Sequence, residues 1–326
     1  KIDFEALNEF LQRRAPGKNA YSTPRSEADL PEFLSGVLND TTCGAPLCAI
    51  IRNKDTRSAD YSQLVDIPRP GHADYPASVR YNGAQDPRGG GHFSGRLTAA
   101  LCIAGGICLQ ILQRKGIYIG AHIASVADVQ DESFAKQKLT REFLQKLSKK
   151  EFTVINDAAG MQMQDEILEA SVEGDSLGGT IECCVLNYPV GIGNPRFEGI
   201  DARLAQAIFA LPAVKGLEFG SGFASTKLKG SENNDPYFMD GDTVKTKSNN
   251  HGGVLGGISS GMPILFKVAI KPTSSIAKTQ NSVSLSKKEN CLLNIEGRHD
   301  PCIVPRAVPC IEAITAIIAL DMLLEC

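Results

Sequence analysis

The sequence lacks the patterns by which several classes of protein are recognised. It contains no Cys-x-x-Cys pair, and its ten cysteines and five histidines nowhere stand at the spacing of a zinc site. Its formal net charge of −3 gives it no basic surplus of the kind that nucleic-acid-binding and membrane-surface proteins carry. It also has no internal repeat and no low-complexity linker. We therefore expect no metal site, no nucleic-acid partner and no membrane partner.

Long uninterrupted apolar runs are missing as well. The two most apolar stretches are residues 97–112, which are short and rich in small side chains, and residues 308–324, which include Glu312 and Asp321. Both predict buried helices rather than membrane spans. The charged start, Lys1-Ile2-Asp3-Phe4-Glu5, is typical of a helix and not of a signal peptide. Most of the cysteines lie in apolar runs, without the spacing of a disulfide framework. We therefore expect a protein of the reducing cytoplasm.

The pattern that remains is that of a globular protein with mixed secondary structure. With 326 residues, 42% of them hydrophobic and 22% charged, the chain is long enough for a substantial core. Helices are predicted from an N-cap at Asp3 and over residues 142–147, 165–173 and 201–211. Strands are predicted over residues 45–51 (buried), 117–126, 179–190 and 264–271, and loops over 52–91 and 230–250. This order favours an α/β or α+β fold without choosing between them.

Two polar loops next to apolar elements could bind an anion. Gly89-Gly90-Gly91-His92-Phe93-Ser94-Gly95-Arg96 leads into an apolar helix, where glycine amides and the helix N-terminus favour a negative charge. Lys271-Pro272-Thr273-Ser274-Ser275 follows a predicted strand and offers an ammonium, hydroxyls and amides to a phosphate monoester. The spacing is neither a Walker loop nor a dinucleotide fingerprint. A flexible turn before a core helix and a solvated serine-rich turn are the structural alternatives.

Two further loops carry groups that could transfer protons. In Pro68-Arg69-Pro70-Gly71-His72-Ala73-Asp74 the prolines and the glycine fix the backbone, so His72 is presented rigidly, and histidine suits proton transfer near neutral pH. Asp300, in the run Arg298-His299-Asp300, stands between arginines, should be ionised there and could position a proton acceptor. Each could instead be structural, as an inert loop residue or an ordinary ion-pair partner. We assign His122 to the core or its edge, and the sequence gives His251 no partner.

In their residues and in their order along the sequence, these motifs resemble those of chorismate synthase over nearly the whole chain. The matching stretches are Arg13-Arg14-Ala15-Pro16-Gly17, residues 69–74, residues 89–96, Gly174-Asp175-Ser176-Leu177-Gly178-Gly179, Ala213-Val214-Lys215-Gly216, and residues 249–261, 271–275 and 298–312. The resemblance implies one α+β domain over residues 1–326, a β-α-β sandwich that forms homotetramers. It also implies the conversion of 5-enolpyruvylshikimate 3-phosphate into chorismate and inorganic phosphate, a 1,4-anti elimination that uses reduced FMN without net redox change.

The resemblance assigns roles residue by residue. His72 and Asp300 correspond to catalytic positions, His72 at the reacting pair and Asp300 in support of proton removal. Substrate carboxylates and phosphate are expected to contact four arginines, Arg14, Arg69, Arg96 and Arg306, and Arg14 also matches a position linked to NADPH. The expected FMN contacts are His92, Phe93, Ser94, Pro212, Ala213, Gly256, Lys271, Pro272, Thr273, Ser274, Ser275 and Arg298. An arginine-lined cleft can attract such anionic ligands even in a mildly acidic protein.

The sequence departs from the family pattern at several of these positions. His92-Phe93-Ser94-Gly95-Arg96-Leu97 stands where Arg-Ser-Ser-Ala-Arg-Glu is common, Ala15 and Ala20 stand where many members have arginine, and Pro212 has no amide hydrogen to donate. The family's Gly-x-Ser-His-Gly motif, which holds a second catalytic histidine, has no counterpart in the sequence. The alternatives to the lyase are therefore a chain that binds these ligands with little or no turnover, and an NAD(P)H-dependent flavin reductase.

Overall fold

A five-stranded antiparallel sheet forms the centre of the protein, whose computed structural model describes residues 1–17, 21–23, 27–52, 63–86, 88–295, 297 and 299–325. The helices are α1 (Phe4–Arg14), α2 (Asp74–Arg80), α3 (Thr98–Arg114), α4 (Arg141–Ser148), α5 (Asp157–Val172), α6 (Ile200–Phe209), α7 (Gly230–Asn233) and α8 (Val304–Leu324). The strands are β1 (Glu32–Ser35), β2 (Val37–Leu38), β3 (Thr41–Thr42), β4 (Cys48–Ile50), β5 (Tyr118–Val126), β6 (Val129–Gln130), β7 (Gly179–Leu186), β8 (Val214–Phe219), β9 (Tyr237–Asp240), β10 (Thr243–Thr246), β11 (Val254–Leu255), β12 (Ile258–Ser259), β13 (Ile264–Ile270), β14 (Gln280–Ser284) and β15 (Glu289–Leu293). The predicted α+β class is confirmed.

The sheet has the strand order β6-β5-β7-β13-β8 and is buried on both faces. On β7, Ile181, Cys183 and Val185 pack into the main core with residues of α3, α5, α6 and α8. The alternate residues Cys184 and Leu186 face the other way, into a smaller cluster with α4. Because successive side chains of a strand point to opposite faces, a strand covered on both sides is mostly apolar, and the buried Glu182 of β7 is paired with His122 of β5.

The two most apolar helices, α3 and α8, cross at very short range. A Cβ atom added at Gly105 of α3 would lie 2.4 Å from the Cα atom of Ala313 of α8, so only glycine permits this approach. The helical stretch Gly95–Arg114, which includes α3, and α8 are each long and apolar enough to cross a membrane, but their most apolar windows are 44% and 67% buried, respectively. They pack against each other and the sheet, which confirms the prediction that they are buried helices.

Three predicted stretches differ in the structure. Residues 45–51 do not form a buried strand, since β4 begins at an exposed Cys48 and pairs only with β1 in a two-stranded ribbon. The predicted loop over residues 52–91 contains α2, and its residues 53–62 lie outside the described part of the chain. The predicted loop over residues 230–250 folds into the β9–β10 hairpin, because Gly241 (φ 61°) allows a two-residue turn.

The other predicted elements are confirmed with shifted ends. Asp3 caps α1, and its side chain accepts a hydrogen bond from the amide of Ala6 at 3.0 Å. The predicted helix over residues 165–173 is the second half of the longer α5, and the predicted strand over 179–190 ends at Leu186. Helix ends fray and strand ends depend on pairing, so such boundaries are the least predictable part of an element.

Candidate active site

One cavity of about 670 Å³ opens where β13 ends and β8 begins, beside the first turns of α3 and α8. Small-molecule sites have volumes of about 300–1,000 Å³. The predicted site residues that line it are Arg14, Arg69, His72, His92, Phe93, Ser94, Arg96, Pro212, Ala213, Lys271, Thr273, Ser274, Ser275, Asp300 and Arg306. These residues come from widely separated parts of the sequence, and the fold brings them around one space.

Three predicted site residues stand apart from this group. Gly256 lies in the turn between β11 and β12, with open space around its Cα atom, and does not line the cavity. Pro272 belongs to the lining loop but is itself turned outward and exposed. Arg298 lies outside the described residues. The roles assigned to these three stay predictions.

His72 is held in place by a carboxylate that the sequence analysis left without a role. Asp74 Oδ1 lies 2.5 Å from His72 Nδ1, and Asp74 Oδ2 accepts a hydrogen bond from Arg69 Nε at 2.7 Å. Burial alone would raise the pKa of Asp74, but the hydrogen bonds from Arg69 and His72 hold it well below its usual range. An ionised Asp74 keeps the proton of the imidazole on Nδ1, so His72 Nε2, which lies 3.4 Å from Arg69 Nη2, is the nitrogen that carries the lone pair.

The four predicted substrate-binding arginines all have carboxylate partners. The pairs are Arg14 with Asp29 at 2.5 Å, Arg69 with Asp74 at 2.7 Å, Arg96 with Glu27 at 2.7 Å and Arg306 with Asp300 at 2.8 Å. Much of the guanidinium charge at the cavity is therefore balanced by the protein itself. Asp29 and Glu27 carry no motif in the sequence, and only the fold reveals that they are counter-ions.

The protein occupies most of the hydrogen-bond donors of Arg14, as it does those of Arg69. Arg14 is 5% exposed, its Nε donates to Thr98 Oγ1 at 3.3 Å, and its Nη2 donates to the carbonyl of Gly95 at 3.1 Å. These contacts tie the end of α1 to the residues that precede α3. Arg14 thus fixes the glycine-rich wall of the cavity.

Two lysines at the cavity supply positive charge that no described carboxylate balances. Lys271 and Lys215 both line the cavity, and within the described part of the chain neither forms an ion pair. Burial and the neighbouring charge of Lys215 lower the pKa of Lys271. An anion bound between two ammonium groups relieves their repulsion, so this part of the cavity is favourable for a phosphate. Lys215 belongs to the matching stretch Ala213-Val214-Lys215-Gly216, but no motif in the sequence indicates that it binds an anion.

The loop after β13 offers a hydroxyl that lacks a partner. Thr273 Oγ1 is buried and has no hydrogen-bond partner among the described residues, whereas Ser275 Oγ accepts from Arg69 Nη1 at 3.1 Å. Leaving a buried hydroxyl unpaired costs about 1–3 kcal/mol, which a ligand oxygen can recover. This hydroxyl, the two lysines and the cavity volume fit a phosphate-bearing cofactor of the size of FMN.

A strained backbone lies beside this loop, on the same side of the cavity as Lys271. Ala213 has a φ of 71°, in the left-handed region that residues with a side chain rarely adopt, and its carbonyl accepts a hydrogen bond from the amide of Lys271 at 2.9 Å. Pro212 directly precedes it and lines the same wall. Such strain costs on the order of 1–3 kcal/mol and persists where the surroundings enforce it, often beside a ligand.

Asp300 links the entry of α8 to a distant segment. Its Oδ2 accepts from Arg306 Nη1 at 2.8 Å, and its Oδ1 accepts from the amide of Thr23 at 2.8 Å. The predicted placement beside an arginine is thus present, with a backbone amide as a second partner. The carboxylate is held at the cavity by two donors on one side and can accept a proton on its remaining lone pairs.

Two other histidines that the sequence analysis considered, His122 and His251, do not line the cavity. His122 is fully buried, with ring nitrogens 3.0 Å from both Asp131 Oδ2 and Glu182 Oε2, which confirms its assignment to the core. His251, for which the sequence indicates no partner, has one in the structure. Its Nδ1 lies 2.7 Å from Asp235 Oδ2, because the β9–β10 hairpin folds back and brings the two residues together.

Comparisons with known proteins agree on one family. A family model described as chorismate synthase matches residues 1–324. The chorismate synthase of Pyrococcus abyssi is 46% identical over 324 residues, which cover 99% of this chain and 89% of the relative. That of Dehalococcoides mccartyi is 44% identical over 324 residues, covering 99% and 88%. A crystal structure of chorismate synthase superposes with a TM-score of 0.73 at 30% identity, covering 98% of this chain and 83% of that one.

Proposed function

The chain belongs to the chorismate synthase family, and we propose that it converts 5-enolpyruvylshikimate 3-phosphate into chorismate and inorganic phosphate, with reduced FMN bound in the same cavity. The observation that carries this proposal is the gathering of His72, Asp300, the lysine pair and the arginines around one space. The substrate carries a phosphate and two carboxylates, and the cavity offers cations and hydroxyl donors to each of these groups.

The reaction breaks one carbon–oxygen bond to phosphate and one carbon–hydrogen bond, and forms a double bond. Reduced FMN, when bound, supplies electron density that assists the loss of phosphate. Lys215 and Lys271 would hold the phosphate of FMN, and His72 Nε2 exchanges a proton or a hydrogen bond with the leaving group of the substrate. Asp300, held by Arg306, supports removal of the proton from carbon. Arg69 and Arg96 orient the substrate through its carboxylates.

The test is an anaerobic assay with pre-reduced FMN. We expect chorismate absorbance and free phosphate to appear in equal amounts, and His72→Ala and Asp300→Asn each to lower turnover at least about tenfold. Near-normal rates in both variants would refute the assignment of these two residues. If FMN and substrate bind without phosphate release, the chain is a ligand-binding protein, and if neither binds, the proposed function is wrong.

The same preparation separates the lyase from a flavin reductase. When NADPH is mixed with the protein and oxidised FMN, bleaching of the flavin would support a reductase activity. An unchanged flavin spectrum would exclude the flavin reductase alternative. We further propose that the chain works in the cytoplasm, as its cysteine usage indicates, and forms the homotetramer that the resemblance implies. Light scattering of the purified protein tests the tetramer directly.

A further inference from the structure

Two cysteines from distant parts of the sequence meet at the wall of the cavity. Cys102 of α3 and Cys310 of α8 are separated by 208 positions, yet their sulfur atoms lie 3.9 Å apart. Cys310 lines the cavity, and Cys102 lies behind it with no exposed surface. One helical turn further along, Gly105 and Ala313 form the close α3–α8 contact, so the backbones that carry the two sulfurs are held at short range.

The surroundings of Cys310 favour its thiolate. The hydrogen bond from Cys102 Sγ, together with the positive charges of Arg14 and Arg306, lowers the pKa of Cys310 against the effect of its burial. Burial and the neighbouring sulfur raise the pKa of Cys102, which therefore stays a thiol. A thiolate at a cavity wall with a thiol directly behind it is the arrangement of an attacking and a resolving cysteine.

We propose that Cys310 is an oxidisable thiol of the cavity wall and that Cys102 is its resolving partner, so that peroxide converts the pair into a disulfide. The Cys310 thiolate attacks hydrogen peroxide and becomes a sulfenic acid, with hydroxide leaving and taking up a proton as water. The Cys102 thiol then displaces this hydroxyl, which leaves as a second water while the sulfur–sulfur bond forms. Two thiols are oxidised and one peroxide is reduced. The sulfurs must approach from 3.9 Å to about 2.05 Å, a short movement for side chains already in contact.

The position of this pair makes the cavity sensitive to oxidation. Cys310 shares the cavity wall with Arg306 and Thr98, and its sulfur lies 3.4 Å from the carbonyl oxygen of Arg306. Disulfide formation draws the sulfur toward α3. These contacts are made by the protein alone and do not depend on which ligand the cavity binds.

Peptide mapping of the oxidised protein tests the disulfide. The full chain is reduced, treated with hydrogen peroxide, alkylated and digested with trypsin without reductant. We expect a cross-link between the peptides of residues 97–114 and 307–326 in the wild type and in the matched control Cys108→Ala, which keeps the pair. It should be lost in Cys102→Ala and in Cys310→Ala. A wild-type digest without this cross-link, or one that survives in Cys102→Ala, would overturn the proposal.

A second measurement needs no variant and uses the folded protein. Brief treatment with iodoacetamide, followed by peptide mapping, compares the alkylation rate of Cys310 with that of Cys183, which is fully buried and whose pKa burial raises. We expect Cys310 to react at least tenfold faster. Equal rates would mean that reagents in the cavity do not reach the sulfur of Cys310, and the proposal would fail.

Discussion

At the scale of single residues, Asp74 controls how His72 faces the cavity. Its carboxylate accepts from the imidazole Nδ1 while two nitrogens of Arg69 hold it in place. In Asp74→Asn the amide can turn its NH₂ group toward Nδ1, which moves the imidazole proton to Nε2. We therefore expect Asp74→Asn to lower turnover about tenfold or more and to change the NMR shifts of the His72 ring nitrogens.

The control for this variant is Asp157→Asn, since the Asp157 side chain is 81% exposed and pairs only with Lys150. It should leave both turnover and the His72 ring unchanged. If Asp74→Asn loses activity while the His72 shifts stay as in the wild type, Asp74 does not act by positioning the imidazole.

His122 shows how a buried charge is made tolerable. Burial by itself would lower its pKa, but the hydrogen bonds to Asp131 and Glu182 raise it above its usual value. Removing His122 leaves two buried carboxylates without their cation. We expect His122→Ala to lower the free energy of unfolding by about 3–5 kcal/mol at pH ~6, measured by denaturant titration. His251→Ala removes a more exposed histidine–carboxylate contact and should cost less than about 1 kcal/mol.

The pH dependence of this loss follows from the direction of each shift. Because the pKa of His122 is raised, its contribution is complete below the unfolded pKa of about 6.5 and disappears as the pH rises through the folded pKa. The pKa values of Asp131 and Glu182 are lowered despite burial, so their contributions are present above pH ~4.3 and disappear as the pH falls. The difference in the free energy of unfolding between wild type and His122→Ala should therefore become smaller toward alkaline pH. A difference that grows with pH would contradict the charged form of His122.

At the scale of elements, the crossing of α3 and α8 positions both the cavity wall and the cysteine pair. In Gly105→Ala the new methyl group would meet the backbone of Ala313 at 2.4 Å, and backbone moves less readily than a side chain. We expect a loss of about 1–3 kcal/mol or more in unfolding free energy and a lower Tm by calorimetry. Gly230→Ala is the control, since a Cβ atom there meets nothing within 4 Å. An unchanged Tm for Gly105→Ala would mean that the helices separate easily.

The elements that the sequence predicted well are those whose apolar spacing repeats over several turns or strand residues. The helices around Leu7 and Leu204 and the strands around Ile123 and Val268 are of this kind, because one local period determines both structure and burial. The prediction of a buried strand over residues 45–51 was wrong because apolar composition does not indicate how much of the β1–β4 ribbon the core covers. The β9–β10 hairpin was missed because its strands are almost fully exposed and because the apolar residues of β9 stand in a row instead of alternating with polar ones.

At the scale of the whole molecule, the candidate site could be predicted only through the resemblance. The motifs named the residues, but nothing local in the sequence places Arg14 beside Thr98 or Asp300 beside the amide of Thr23, since these contacts span 84 and 277 positions. The counter-ions of the arginines were unpredictable for the same reason. These counter-ions change the electrostatics expected of the cavity. The four arginines are balanced by carboxylates, and the unbalanced positive charge lies at Lys215 and Lys271.

This charge distribution predicts how a ligand should stabilise the fold. FMN bound at about 100 times its Kd would add about 2.7 kcal/mol to the free energy of unfolding and raise Tm by calorimetry. In Lys215→Met one of two cations is lost, and we expect about tenfold weaker binding and about 1.4 kcal/mol less stabilisation at equal FMN. Lys227→Met, at an exposed position, is the matched control and should keep the full Tm shift.

The affinity for FMN should also depend on pH. Because the pKa of Lys271 is lowered from 10.5, the affinity of the wild type for FMN should fall as the pH rises through that lowered value, and in Lys215→Met the fall should begin at higher pH. If Lys215→Met gained the same Tm shift as the wild type at every pH, the lysine pair would not be where the phosphate binds.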